Sequence, residues 1–323
     1  DGGNFEGNTI LANNISASSL GFKFNKTETE IQNIVSECSH KLLEARSKRE
    51  QPGKDDKVIT SWNGLMISGF LAGYRITDDV NYFDIAKKSI DFFEKSFKKN
   101  NMLHRTFKNN NPKLNGYLDD YAYMANASID MFENTSEPKY LEFATNLANH
   151  LIIHFWDDST DGFFFTSDSH EKLIIRPKNN YDLSMPSGNS VAAYVLLRLH
   201  HIMQNKQFLE ITTKIIEAHA TAAAENPFAF GYLLNVLYLY HQKPTEITVI
   251  NDKNSELIST LQKKFLPESI MVIIRHKNNL DSLSKHAFFS GKEFQDDKTS
   301  VFVCKNFSCS LPLSDLSEIE KEL

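Results

Sequence analysis

Two kinds of helical segment alternate along this chain, and that alternation limits its fold more than any other feature. Apolar residues at helical spacing predict helices over 28–50, 60–77, 81–99, 117–134, 138–155, 187–204, 206–224 and 228–242. The helices starting near 60, 117, 187 and 228 open with Gly, Asn, Asp, Ser or an aromatic, then turn apolar or small on most faces. The others carry a one-sided stripe with Lys and Glu opposite, as in Ile31, Ile34, Val35, Cys38, Leu42 and Leu43. A helix apolar nearly all round is buried, and a one-sided helix lies at a surface. Short joints between them predict antiparallel neighbours. The expected fold is therefore mainly α, a toroidal α/α barrel of alternating inner and outer helices. Gly69 and Gly73, four apart, are expected to let one inner helix approach its neighbour closely.

The texture changes after Lys243. "EITVI", a helical "NSELISTLQKKF", "IMVII" and "SVFVC" spell a small β-α-β-like piece. The expected organisation is a toroid region over 1–243, an α/β appendage over 244–314, and a frayed or helical tail over 315–323. The first twenty-odd residues lack periodicity and read as an extended lead-in. "GFFFTS" and "KLIIRP" flank a polar turn and predict a hairpin between the helices at 138 and 187.

A chain of 323 residues can bury a sizeable core. Net charge is -6 with Lys and Arg scattered, so no basic stripe points to nucleic acid. No apolar run reaches membrane-spanning length and no signal peptide is visible, so a cytoplasmic protein without a membrane partner is expected. The opening "DGGNFEG" lacks a Met, which suggests that the chain does not start at a natural N-terminus. Three cysteines do not make a disulfide framework. Cys38 reads as a small apolar filler, while Cys304 and Cys309 could be packing residues or a local redox pair. No metal or cofactor is expected; His150 and His154 lack the further ligands that a metal site needs.

In an alternating barrel the inner helices run the same way, so their N-termini gather at one mouth. There they present unpaired N–H groups and partial positive charge. "SMPSGNS" fits that mouth: Ser187 caps a helix, Gly188 allows close approach of a ligand to the backbone, and Asn189 faces the opening. The simpler reading is a loop and a good cap with no ligand. Three other starts carry comparable residues: Ser61, Trp62 and Asn63; Tyr117, Asp119, Asp120 and Tyr121; Phe228 and Phe230. Aromatics beside carboxylates and amides at a cavity rim suit a small-molecule sugar. Asp119 and Asp120 point about 100° apart on a helix, and Asp120 is taken as the one that faces the cavity. Glycoside hydrolysis generally needs two carboxyl groups, for which Asp120 and Asp182 are the candidates. Epimerisation needs bases such as His104. Arg105 and Arg176 could hold hydroxyls or a carboxylate.

Five segments, in order, carry a family resemblance: "DDKVITSWNGLMISGF", "GYLDDYAYM", "FWDDSTDGFFFTS", "IIRPKNNYDLSMPSGNSVAAYVLLRL" and "VCKNFSCSLP". They resemble the C-terminal region of spermatogenesis-associated protein 20-like proteins, also called thioredoxin-domain proteins of the YyaL type. "NFEGNTIL" is similar to the same family's "NFEGKN" segment. The resemblance implies an N-terminal thioredoxin-like region joined to an (α/α)6-type toroid of the six-hairpin glycosidase type, incomplete in this chain, a fold shared with N-acylglucosamine 2-epimerases and cellobiose epimerases. Trp62, Asn63, Asp120, Tyr121, Arg176, Asp182, Ser187 and Asn189 fall on its motif positions. The sequence departs from the pattern by lacking the thioredoxin-like region and the first barrel helices, with roughly eight helices where a toroid needs twelve. The epimerases' paired histidines have no clear counterpart. The functional expectation is a carbohydrate-active or carbohydrate-binding domain, a glycoside hydrolase or sugar isomerase or epimerase. The alternative is a non-catalytic partner of the thioredoxin-like region in which Cys304 and Cys309 are redox-active.

Overall fold

The protein is described from a computed structural model that covers residues 3–109, 111–172, 174–305 and 308–323. It divides into two compact units, Asp1–Asp56 and Lys57–Leu323. The first holds α1 (Ala17–Phe24) and α2 (Glu28–Ser47). Helix α1 falls where an extended lead-in was expected. Local chemistry explains it: Ser16 caps the start by accepting the Ser19 N–H, and Asn25 ends it in the left-handed conformation. Thr27 and Glu30 form a reciprocal capping box at the start of α2. Ile31 is the buried residue of α2, whereas Ile34, Leu42, Leu43 and Cys38 are exposed, so Cys38 is not a core filler.

The second unit begins with β1 (Val58–Ile59), followed by α3 (Thr60–Thr77) and α4 (Val80–Asn100). Then come β2 (His104–Lys108), β3 (Asn111–Asn115), α5 (Leu118–Thr135) and α6 (Pro138–Phe155). After a long non-helical stretch follow α7 (Gly188–Met203), α8 (Lys206–Glu225) and α9 (Gly231–Gln242). The β1-β2-β3 sheet is antiparallel, with Val58 opposite Phe107 and His104 opposite Asn115. Helices α3, α5, α7 and α9 pack on one another in series, and α4, α6 and α8 pack outside them. This is the α/α-toroid arrangement. Helix α5 is buried at every position except Asp119, Asn126 and Asp130. Helix α7 is buried except at Tyr194, His200, His201 and Met203. The outer α4 and α8 bury one stripe each, built on Ala86, Ile90, Phe93 and Phe97, and on Phe208, Ile211, Ile215 and Ile216.

The close approach between α3 and α5 is made by Gly64, not by Gly69 or Gly73. A Cβ on Gly64 would lie 2.7 Å from the Tyr123 carbonyl carbon. At Gly69 it would meet nothing within 4 Å, and at Gly73 only the Tyr82 ring at 3.3 Å. The predicted hairpin is also not a strand pair among the described residues; Leu173 lies outside them. Phe163 bridges Trp156, and the Phe165 N–H donates to the Pro177 carbonyl. The run "GFFF" fills space with rings instead of extending a ladder.

The chain then adds β4 (Thr245–Ile250), α10 (Ser255–Lys263), β5 (Ser269–Ile274), α11 (Lys277–Leu283), β6 (Ser300–Lys305), β7 (Ser308–Cys309) and α12 (Leu316–Glu322). Strands β4 and β5 are parallel across α10, and β6 and β7 add antiparallel in the order β5-β4-β6-β7. Alternation splits the sheet's faces: Ile247 and Val249 join Leu257, Leu261 and Val303 in one core, while Ile250, Val272 and Ile274 join the helical core.

Candidate functional site

Carboxylates tie the starts of the four inner helices together, which places those starts at one mouth. Asp120, at the third position of α5, is fully buried. Its Oδ1 accepts the Ser61 N–H of α3 at 2.8 Å and the Arg105 guanidinium of β2 at 2.9 Å, and its Oδ2 accepts the Tyr117 N–H at 2.9 Å. Asp182 does the same for α7 and α9. Its Oδ1 accepts the Ser187 N–H at 2.7 Å and its Oδ2 the Tyr232 N–H at 2.6 Å. Each satisfies donors that a helix start leaves unpaired and places negative charge at a positive dipole end.

Asp119 lies between these two tethers and belongs to neither. No donor among the described residues holds its carboxyl. It lines a cleft of about 300 Å³ with Tyr123, Lys178, Asn180, Tyr181 and Ser187. Burial, with the Asp120 charge beside it, pushes the Asp119 carboxyl up to about 6, against a smaller pull from Arg105. Burial also raises Asp120, opposed by Arg105 and by the Tyr117 and Ser61 backbone donors, all of which favour its anion. Gly188 makes room for Asp119: a Cβ there would sit 2.3 Å from Asp119 Oδ1 and 2.8 Å from Leu118 Cγ. The close approach that Gly188 permits is thus to α5.

Below Asp119, Asn126 and Asp130 continue the same stripe of α5. Ser68 of α3 donates to Asp130 Oδ2 at 2.5 Å. Arg198 of α7 reaches Asp130, Glu133 and Asn126 at 2.8, 2.7 and 2.8 Å. Arg75 of α3 reaches the other oxygen of Glu133 at 3.0 Å. Two cations and two carboxylates thus interlock three inner helices beneath the mouth, and the carboxylates hold Arg198 firmly protonated despite its burial.

Most residues expected to touch a sugar are engaged in structure. Asp120 and Asn189 are sealed, and of the expected contacts Ser187 and Gly188 line the cleft. Ser187 also caps α7 by accepting the Ser190 N–H. Asn189 does not face the opening; its amide accepts the Phe163 N–H at 2.6 Å and donates to the Phe163 carbonyl at 2.9 Å. Tyr121 is no stacking platform, because its ring packs on His150 at 4.5 Å and its hydroxyl accepts the Leu103 N–H. Arg176 lies over Phe164 and donates to the Thr166 and His154 carbonyls. Arg105 is spent on Asp120 and Ser61. Asn63 donates to the Ile59 carbonyl at 2.8 Å, and Trp62 is exposed at the first turn of α3 but outside the cleft. His104 is half-buried, its pKa lowered by desolvation, and it too lies outside the cleft. His150 is pushed down to about 4 by burial, and His154 pairs with Asp168 at 3.0 Å. Cys304 and Cys309 form a disulfide across β6 and β7.

The model of glycosyl hydrolase family 76 matches residues 27–222. The chain belongs to that family. Among curated proteins it is 26% identical over 90% of its length to uncharacterized protein B0495.5 of Caenorhabditis elegans, covering 41% of that protein. It is 24% identical over 99% of its length to spermatogenesis-associated protein 20 of Homo sapiens, covering 43% of that protein. The chain thus spans about two fifths of the length of the curated relatives it matches. A crystal structure of a family 76 glycoside hydrolase from a bovine Bacteroides thetaiotaomicron strain aligns at TM-score 0.42 and 20% identity, over 52% of this chain and 36% of that one. The family match takes in α2 to α8 and with them Asp119, Asp120 and the tethers around them.

The residue that sequence reasoning set aside was Asp119. A signal was there: Asp120 stands three residues after Tyr117, the spacing at which a helix's third residue reaches back to the N-cap N–H. That spacing commits Asp120 to the helix end and turns Asp119 about 100° away from it.

Proposed function

We propose that this domain is a glycoside hydrolase whose substrate enters the cleft between the starts of α5 and α7, with Asp119 as the proton donor. The observation that carries this reading is the single cleft carboxyl left free of protein donors, with its pKa raised to about 6. A carboxylic acid near that value holds its proton in mildly acidic solution and can pass it to a glycosidic oxygen as the bond to the sugar breaks. Water then adds to the anomeric carbon and gives up a proton to the Asp119 carboxylate, which completes hydrolysis and restores the acid. Asp120 acts through its neighbour: its charge adds to burial in raising the Asp119 pKa, while Arg105 fixes its position. Tyr181, exposed at the cleft, supplies a ring face, and Asn180 an amide whose buried Oδ1 has no protein donor. Both suit a hydroxyl-rich ligand. Family membership supports the same reading.

The test is turnover of aryl glycosides and oligosaccharides by the chain and by Asp119→Asn. The variant should lose turnover while retaining sugar binding. Undiminished turnover in Asp119→Asn removes the proton-donor assignment, and a parent that neither cleaves nor binds any sugar removes the function. A second reading, a non-catalytic partner of a thioredoxin-like region, is favoured by one observation, the Cys304–Cys309 disulfide. It requires that mild reductant expose both thiols to labelling in the folded protein. Labelling that is the same before and after reduction counts against it.

A further inference from the structure

At the other end of the inner helices, the last turns of α7 and α9 meet the start of β4 around a second cavity of about 400 Å³. Its residues on α7, Leu197, His200 and His201, lie ten to fourteen positions beyond Ser187, roughly 15–20 Å from the cleft at 1.5 Å per residue. The volume is that of a small-molecule site. Leu197, Leu209, Pro244 and the Tyr240 ring supply apolar walls.

Of the polar groups in the cavity wall, His200, His201, Tyr240 and Glu246 each offer an acceptor, and Lys243, at an exposed position, offers an ammonium. His200 Nδ1 is hydrogen-bonded to the Asn205 carbonyl at 2.8 Å, so that nitrogen carries a proton and, in the neutral ring, Nε2 is the acceptor. Burial, with His200 beside it, pushes His201 down to about 4, so its imidazole is neutral. The Tyr240 hydroxyl lies 3.2 Å from Thr213 Oγ1. Glu246 is half-buried on β4, and no donor among the described residues reaches its carboxyl; Lys292 acts on it only through charge. The carbonyl ends of α7 and α9 add partial negative charge on the same side. An apolar pocket with acceptors and an undonated carboxyl is complementary to a ligand that brings N–H donors and positive charge. Tyr240 offers such a cation an aromatic face. No group of three or more His, Cys, Asp or Glu among the described residues is arranged to hold a metal ion.

We infer that this cavity binds a small organic amine, its apolar body against Leu197, Leu209 and Tyr240 and its ammonium on the Glu246 carboxylate. Burial pushes Glu246 up to about 7, so ligand binding requires loss of that proton and strengthens as pH rises through neutrality. Other groups bear on the same site: Lys292 from the segment after α11, His200 and His201 from α7, and His241 and Lys243 beyond Tyr240. Facing it across the sheet are Ile270 and Cys304, which carry no charge, the latter held in its disulfide.

Titration of the full chain with 2-phenylethylamine and with 2-phenylethanol, at pH 5.5 and 8.0, tests this. The amine should bind at pH 8.0 on the order of tenfold more tightly than at pH 5.5, while the alcohol binds more weakly and without that dependence. Glu246→Gln should reduce amine affinity at pH 8.0 to its pH 5.5 level, which separates Glu246 from protonation of the histidines. Leu209→Trp, which fills the cavity from a half-buried position, should abolish binding if Glu246→Gln does not fold. Absence of amine binding, equal affinity at the two pH values, equal binding of the alcohol, or pH dependence intact in Glu246→Gln would each overturn the inference.

Discussion

Replacing Asp119 by Asn should make the protein more stable at neutral pH and leave it unchanged in acid. The carboxyl sits at about 6 in the folded protein, against an ordinary value near 4 in the unfolded chain. A raised carboxyl binds its proton more tightly when folded, so its contribution to stability is full below the unfolded pKa. That contribution falls as pH climbs to the folded pKa, and above it the loss is complete. Two pKa units correspond to about 3 kcal/mol, and partial contact with solvent brings the expected effect to roughly 1–3 kcal/mol. Asn keeps the volume beside Gly188, removes the charge facing Asp120, and loses no hydrogen bond. In urea denaturation, Asp119→Asn should exceed the parent by that amount at pH 7.5 and match it at pH 3.5. A variant less stable than the parent at pH 7.5, or equally shifted at both pH values, refutes the argument that Asp119 is a strained, unsatisfied carboxyl. Together with lost turnover, the expected result would mark a residue retained for chemistry at a cost in stability.

Four further substitutions test the frame around it. Asp182→Ala removes the acceptor of the Ser187 and Tyr232 N–H groups and should cost about 1–3 kcal/mol, with proteolysis in the 178–187 loop reporting the loosened segment. Gly64→Ala should destabilise by roughly 1–3 kcal/mol because the new methyl meets α5 backbone, whereas Gly69→Ala should gain about 0.5–1 kcal/mol from helix propensity; thermal melts of both check the opposite signs. Arg198→Met removes the cation from Asp130 Oδ1 and Glu133 Oε1 inside the bundle and should cost about 3–5 kcal/mol, read by urea denaturation at pH 7.

The helices were legible because periodicity reports burial directly. Asn189 shows the limit of that signal: it begins an apolar helix in a loop-rich context, which fits a ligand contact and a structural clamp equally well. What decides is Phe163, twenty-six residues earlier, whose N–H and C=O have no ladder partner to satisfy them except that amide. Gly69 and Gly73 illustrate the same point for packing. Spacing marks a helix face that could accept a neighbour, but the neighbour lies against Gly64, one turn earlier. α1 was missed because serine-rich caps, not an apolar stripe, delimit it.

The mouth itself followed from the alternation of helices, but the division of labour among its carboxylates did not, since it depends on which donors surround each one. Asp120 faces two backbone N–H groups and a guanidinium, and Asp182 faces two backbone N–H groups. A carboxylate so engaged has few lone pairs left for substrate, and moving it would unravel two helix starts at once. Asp119 faces Gly188, a residue with neither side chain nor room for one. The two tethers fix the cleft walls on either side of Asp119, and burial together with the Asp120 charge raises its pKa. The frame and the reactive group are thus distinct residues of one cluster. Changes to Asp120 or Asp182 should therefore alter stability and activity together, whereas a change at Asp119 should move them in opposite directions.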